Sequence, residues 1–182
     1  QNSTRIDTPL LGLHSVYPAL AAAAVASVKG LTLDEVSQAL KEPGTLPRLR
    51  VRQGINESCI IDDTYNASPA SVIAALNILR DVPGRKIAVL GDMLELGSYT
   101  EAGHREVGLH AGSIADVLIA FGELGRLIGR AAMEGGTKKV LFTTSHDEAA
   151  SLLKDMLLPG DYVLVKGSRG LAMERILDGL LL

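Results

Sequence analysis

The stretch Ser58-Cys59-Ile60-Ile61-Asp62-Asp63-Thr64-Tyr65-Asn66-Ala67-Ser68-Pro69-Ala70-Ser71 decides the fold. It opens with a short apolar run, too brief for a helix and closed by two acids, which reads as a buried strand. Ser68 before Pro69 is an N-cap followed by proline at the first helical position, so a helix over 69–80 follows. Strand, turn and helix then repeat toward the C-terminus. Strand-like runs occupy 58–61, 86–90, 117–121, 140–142 and 162–165. Amphipathic stretches cover 69–80, 101–113, 124–134 and 146–157, with a last one at 171–182. Residues 50–53, before Gly54, fit an extra edge strand in a hairpin with 58–61. Such alternation predicts an α/β fold, a Rossmann-like doubly wound and mostly parallel sheet with helices on both faces.

Upstream, residues 15–41 read as a helical hairpin. Ser15 is a candidate cap, Pro18 falls in the opening turn, and the alanine-rich run closes at Gly30. Thr32-Leu33-Asp34-Glu35 is a capping box for the second helix, which Pro43-Gly44 ends. Residues 42–47 read as a linker, which places a domain boundary between 1–45 and 46–182. Nothing in the hairpin covers an alanine-rich helix, so it is expected to pack on something else.

Composition narrows the function. The 182 residues are 47% hydrophobic and carry a net charge of −3, which excludes a disordered chain. Mild acidity with 3% aromatics argues against a nucleic-acid coat. The single cysteine, Cys59, excludes an internal disulfide and reads as a small buried hydrophobe, in keeping with a reducing cytoplasm. The apolar stretch 20–28 is well short of the ~20 residues that a membrane span needs, so no membrane partner is expected. Asn2-Ser3-Thr4 and Asn56-Glu57-Ser58 match the glycosylation pattern, without meaning in a cytoplasmic chain. A first residue of Gln1 suggests a processed or excised piece.

Ligands of open α/β sheets bind beyond the carboxyl ends of the strands. There the sequence places Asp62 to Asn66, Gly91 to Glu95, Gly122-Glu123, Thr143 to Ser145, and Lys166-Gly167-Ser168-Arg169-Gly170. Part of this rim is capping chemistry, Ser145 to Glu148 being a second capping box. No G-x-x-x-x-G-K-[ST] or G-x-G-x-x-G motif occurs, nor a G-x-S-x-G elbow, and the histidines lack metal-ligand spacing. No metal site is therefore expected. Residues 167–170 open the predicted last helix, and their amides could hold an anion. Adjacent strand residues point to opposite sides, so one of Asp62 and Asp63 serves the turn and the other can accept hydrogen bonds from vicinal hydroxyls such as a ribose. Tyr65 adds a flat face for a base. Together these read as half of a nucleotide site.

The run from Ile61 to Ser71 resembles the DDTYNANPxS signature of the Mur ligases, in particular those that add D-alanyl-D-alanine. Leu90-Gly91-Asp92-Met93-Leu94-Glu95-Leu96-Gly97, His104-Arg105-Glu106-Val107-Gly108 and Val165-Lys166-Gly167-Ser168-Arg169 are similar to further motifs of the same enzymes, in the same order. Residues 12–22 are similar to the family's GxHNxxNxLAA pattern, with Ser15 and Pro18 where asparagines are usual. The DNPR motif of the diamino-acid-adding relatives does not occur. The resemblance implies a C-terminal Rossmann-like domain preceded by the last helices of a central ATPase domain, with no complete catalytic set in this chain. It implies ATP and Mg2+ as cofactors of the intact enzyme, neither bound tightly by this piece. It also implies three partners: the remaining domains, UDP-MurNAc-tripeptide and D-Ala-D-Ala. Arg48, Asp63, Tyr65, Asn66 and His14 then fall to the nucleotide, while Lys166, Ser168 and Arg169 fall to the dipeptide's carboxylate. Asp92 and Glu95 are assigned, from charge, to its ammonium group. His104 and Arg105 would brace the loop above their helix. Another Mur-type ligase, or a non-catalytic ligand-binding α/β module, stays open as an alternative.

Overall fold

The computed structural model describes residues 3–42 and 49–182, apart from the side chain of residue 14. Arg48 and most of the predicted linker lie outside the described residues. Contacts divide the chain into two compact units, Gln1–Leu46 and Pro47–Leu182.

The first unit holds α1 (Val16–Val28) and α2 (Leu33–Lys41). Thr32 caps α2 with the expected box: Glu35 N–H donates to the Thr32 hydroxyl, and the Glu35 carboxylate accepts from Thr32 N–H at 2.8 Å. Ser15 does not cap α1. It ends a short 3-10 turn in helical conformation, and its hydroxyl donates to the Leu11 carbonyl at 2.7 Å. Of α1 only Ala23 is buried, while Tyr17, Leu20, Val25 and Val28 are exposed. A helix apolar around its whole circumference has no stripe to direct inward. Among the described residues, no helix is long and apolar enough to cross a membrane.

The second unit is a six-stranded sheet. In chain order its elements are β1 (Arg50–Gln53), β2 (Cys59–Asp62), α3 (Pro69–Asp81), β3 (Lys86–Gly91), α4 (Thr100–Gly112), β4 (Val117–Phe121), α5 (Gly125–Gly135), β5 (Lys139–Thr143), α6 (His146–Met156) and β6 (Tyr162–Lys166). The strand order is β1-β2-β6-β3-β4-β5. β1 pairs antiparallel with β2, as the hairpin reading expects, and every other pairing is parallel.

Because side chains alternate along a strand, the central strands feed two cores. Ile61, Ala88, Leu90, Leu118 and Leu164 face Val72, Leu76 and Leu79 of α3, Val107 of α4 and Ile128 of α5. Ile60, Ile87, Val89, Ile119 and Val163 face Ala149 and Leu153 of α6 and the C-terminal residues Met173, Ile176, Leu177 and Leu180. Cys59 is only half-buried rather than buried, and this partial burial pushes its thiol pKa up.

The predicted helix over 171–182 is not α-helical. Arg169–Leu171 and Met173–Leu177 form 3-10 turns, Ala172 between them is left-handed at φ 47°, and Leu181 bridges to Gly54. The apolar spacing of Met173, Ile176, Leu177 and Leu180 fits one helical face, and it buries the same residues on the sheet in a tighter, broken path. Gly179 at φ 73° completes the break. Residues 167–170 therefore do not open an α-helix, so no α-helical N-terminus stands there to hold an anion. The Ser145–Glu148 box is also half-made: Glu148 N–H donates to Ser145, but the Glu148 carboxylate accepts from the Thr143 hydroxyl.

Candidate functional site

β6 lies between β2 and β3, so the loops leaving these strands meet at one edge of the sheet. The parallel ladder pairs Asp62 with Val165, and Asp63 N–H extends it by donating to the Val165 carbonyl at 3.1 Å. Alternation then separates the two acids. Asp62 turns into its own loop, where Oδ1 accepts from the Thr64 hydroxyl at 2.8 Å, and it lies 3.6 Å from Arg52 across the β1 hairpin. Asp63 turns the other way and meets Lys166 Nζ at 2.6 Å. Lys166 is buried, and its ammonium also donates to the Asn66 carbonyl at 2.7 Å. Tyr65 and Asn66 are exposed beside this pair.

Ser168 ties the three loops together. Leu94 N–H donates to its hydroxyl at 2.8 Å, that hydroxyl reaches the Ala67 carbonyl at 3.5 Å, and Ser168 N–H donates to the Asp92 carbonyl at 3.0 Å. Arg169 N–H donates to Asn66 Oδ1 at 3.4 Å, while its largely exposed guanidinium pairs with Glu174 at 2.8 Å. Glu174 had no sequence signal, because its position depends on the broken 3-10 path at the C-terminus.

The β3 loop is fixed from below. His104 is fully buried on α4, and its Nε2 accepts from Met93 N–H at 2.9 Å. An accepting Nε2 puts the ring proton on Nδ1, 2.6 Å from the Thr100 carbonyl. This is the bracing role expected for His104. Its neighbour Arg105 pairs instead with Glu134 of α5 at 2.7 Å.

Asp92 departs from its expected part. Its carboxylate is buried and accepts from Gly125 N–H at 2.6 Å at the start of α5, so it is engaged within the fold. Gly122, at φ 95°, leaves room for it: a Cβ there would lie 2.6 Å from Asp92 Cγ. Desolvation raises the Asp92 pKa, and the Gly125 hydrogen bond offsets part of that rise. Glu95 is exposed and left-handed at φ 65°. The structure thus gathers Asp63, Tyr65, Asn66, Lys166, Ser168 and Arg169 at one edge, with Glu95 on the adjoining loop. The side chain of His14 and all of Arg48 lie outside the described residues.

This edge has a carboxylate and an aromatic ring suited to a nucleoside, and a cation suited to a carboxylate. Among the described residues, no group of His, Cys, Asp and Glu is arranged to hold a metal ion.

Comparison with known proteins agrees with the motifs. The UDP-N-acetylmuramoyl-tripeptide–D-alanyl-D-alanine ligase of Bacillus subtilis is 34% identical over 178 residues, covering 95% of this chain and 39% of that protein. The Escherichia coli enzyme of the same name is 35% identical over 186 residues, covering 98% of this chain and 39% of its own length. The chain thus spans about two fifths of the relatives it matches. Among solved structures, a MurF ligase of Thermotoga maritima in complex with ADP superposes with a TM-score of 0.78 at 30% identity, covering 92% of this chain and 38% of that one. A MurF from Acinetobacter baumannii gives 0.80 at 32% identity, covering 95% and 38%. The family model for the Mur ligase, glutamate ligase domain, matches residues 47–169. With that model spanning most of the α/β unit and two thirds of the chain, the chain belongs to the Mur ligase family.

Proposed function

We propose that this chain is the C-terminal part of a bacterial, cytoplasmic ATP-dependent ligase that joins D-Ala-D-Ala to UDP-MurNAc-tripeptide. The observation that carries this reading is the clustering of Asp63, Tyr65, Asn66, Lys166, Ser168 and Arg169 at the sheet edge, in a chain 34–35% identical to two D-Ala-D-Ala-adding enzymes along nearly its whole length. Residues 1–45 are then the closing helices of a central ATPase domain, and 46–182 the C-terminal Rossmann-like domain.

Each edge residue has a part that its position allows. Asp63 accepts hydrogen bonds from the ribose hydroxyls, with Tyr65 and Asn66 beside the base. Arg169, itself exposed, exchanges its half-buried Glu174 partner for the dipeptide's carboxylate, and Glu95 is the exposed acid closest in sequence to Asp92 for its ammonium group. Arg48 and His14 are assigned to the nucleotide by the motifs alone. ATP supplies the activating phosphoryl group when bound. Its phosphates and Mg2+ fall to parts of the enzyme carrying the phosphate loop, because the edge described above holds none of that apparatus. What this chain contributes is orientation and exclusion of water around an amine and an activated carboxylate, both large terms in such reactions.

Titrating the pure chain with ADP while following the amides of Asp63 to Asn66 tests the nucleotide half. The expected outcome is saturable shifts with an affinity no stronger than about millimolar, and no release of phosphate from ATP. Turnover of ATP by the pure chain would overturn the assignment of the catalytic apparatus to other domains. Shifts confined to regions away from residues 63–66 would remove the nucleotide reading.

A further inference from the structure

We infer that Lys166 is a positioning residue for Asp63 and the β2 loop, and that Arg169 alone is the cation offered to the dipeptide's carboxylate. The inference rests on the proposed function for the identity of the ligands, and on geometry for the division of labour between the two cations.

Lys166 is the last residue of β6 and is 2% exposed, in register with Leu90 of β3 and beside the extension of β2. A buried ammonium is costly unless it is paired and hydrogen-bonded. Here the Asp63 carboxylate at 2.6 Å and the Asn66 carbonyl at 2.7 Å meet that need. Both contacts pull on one short segment, at its two ends. They fix the carboxylate meant for vicinal hydroxyls and the backbone that carries Tyr65. Asp63 keeps 13% of its side-chain surface in solvent against 3% for Lys166, so of the two it is Asp63 that solvent reaches more.

A carboxylate arriving from solvent would have to displace Asp63 to reach this ammonium. Arg169 presents the opposite case. Its side chain is 63% exposed, and it pairs with Glu174, half-buried at 41%, in a contact that solvent reaches from the arginine side and so weakens. Such a pair is readily exchanged for a ligand carboxylate, which the planar guanidinium can grip with two parallel hydrogen bonds.

The test uses the 182-residue chain labelled with 15N on lysine and arginine side chains and on the backbone. In the ligand-free chain, the Lys166 ammonium protons are expected to be protected from exchange, and Asp63→Asn is expected to remove that protection. Lys166→Met should speed amide exchange at Thr64 to Ala67 roughly ten- to hundredfold, the loss expected when a charge-assisted hydrogen bond goes. Amides of α5 should keep their rates. Unprotected Lys166 protons, or unchanged exchange in the β2 loop, would overturn the inference. If Lys166→Met does not fold, the Asp63→Asn arm still decides it.

Adding D-Ala-D-Ala should then shift the Arg169 side-chain resonances and leave the Lys166 ammonium in place. The reverse pattern would restore Lys166 as the dipeptide's cation. With ADP, Lys166→Met and Asp63→Asn should weaken binding by the same factor, and the double variant by no more, which a general loss of structure would not produce. If neither ligand moves any resonance of the wild type, the proposed function fails for this chain, and the exchange data still settle how Lys166 acts.

Discussion

Helix α1 passes through Ala21, Ala22, Ala23 and Ala24, of which only Ala23 is buried, whereas Gly108, Ala111 and Gly112 of α4 and Ala131 and Ala132 of α5 are all buried. Small residues do different things in the two places. Between α4 and α5 they let two backbones approach: a Cβ on Gly112 would lie 2.5 Å from Gly135 Cα, and one on Gly108 would lie 2.6 Å from Ala131 Cβ. In α1 the same size of side chain only raises helix propensity, since few neighbours are close enough to exploit it. Small residues mark a close contact only where a facing element supplies the other half. In the α/β unit α4 and α5 supply that half for each other, whereas among the described residues of the first unit α1 buries only Ala23.

The sharpest way to break this comparison is to enlarge one residue in each place. Gly108→Leu forces a side chain into the Ile128 and Ala131 wall, and is expected to cost about 3 kcal/mol or more. Ala22→Leu, on an exposed position of α1, should stay within about 0.5 kcal/mol. Urea denaturation of the whole chain, followed at amides of α4 for the first variant and of α1 for the second, measures both. Equal losses would mean that α1 is packed as closely as α4.

A second contrast is the sequence distance over which each region is tied together. Asp161 is buried and accepts from Arg85 Nε at 3.0 Å and Nη2 at 2.6 Å, across the bottom of the sheet, and from Leu158 N–H at 2.8 Å. Asp161→Ala leaves those donors without their acceptor and should destabilise the α/β unit by about 2 kcal/mol, since Arg85 regains some hydration. The midpoint of urea unfolding reports it. A change of only a few tenths would place this pair among ordinary surface bridges.

What could be read from the sequence follows the same division between local and distant causes. The strands were legible because alternation along 58–61 or 86–90 is a property of neighbours in the chain, and the β1 hairpin because Gly54 separates two short extended runs. The Thr32 cap was legible for the same reason. Three features were not. The engagement of Asp92 within the fold depends on the start of α5 and on the space left by Gly122, which no window around Asp92 contains. The Lys166–Asp63 pair is a consequence of strand order, which puts β6 next to β2. The C-terminal segment shows a helical apolar spacing, yet burial on the sheet satisfies it with 3-10 turns around a left-handed Ala172. At the candidate site, residue types and edge were legible, while the division between residues that face a ligand and residues that hold others in place required the sheet.

Two helix caps extend the contrast at lower energy. α2 is capped by its own Thr32, so Thr32→Ala should cost about 1 kcal/mol, felt locally as faster amide exchange in the first turn of α2. The α/β unit should unfold at an unchanged urea concentration. A shift in that midpoint would show that the two units are energetically coupled.

The cap of α5 comes from Asp92, which is distant in sequence, and its signature is a slope rather than a drop. Burial raises the Asp92 pKa in the folded chain above its unfolded value. Between those two values the folded state binds more protons than the unfolded state, so the Asp92 contribution to stability falls as pH rises through that window. Below the unfolded pKa the acid is neutral in both states and the cost vanishes; above the folded pKa the cost is constant. Asp92→Asn keeps an oxygen to accept from Gly125 N–H and removes the titration. The stability of this variant relative to the wild type should therefore climb as pH rises from the ordinary aspartate range and then level off. Urea unfolding at a series of pH values measures that difference. A flat difference would mean that Asp92 is hydrated in the folded chain, and a falling one that the Gly125 hydrogen bond outweighs desolvation.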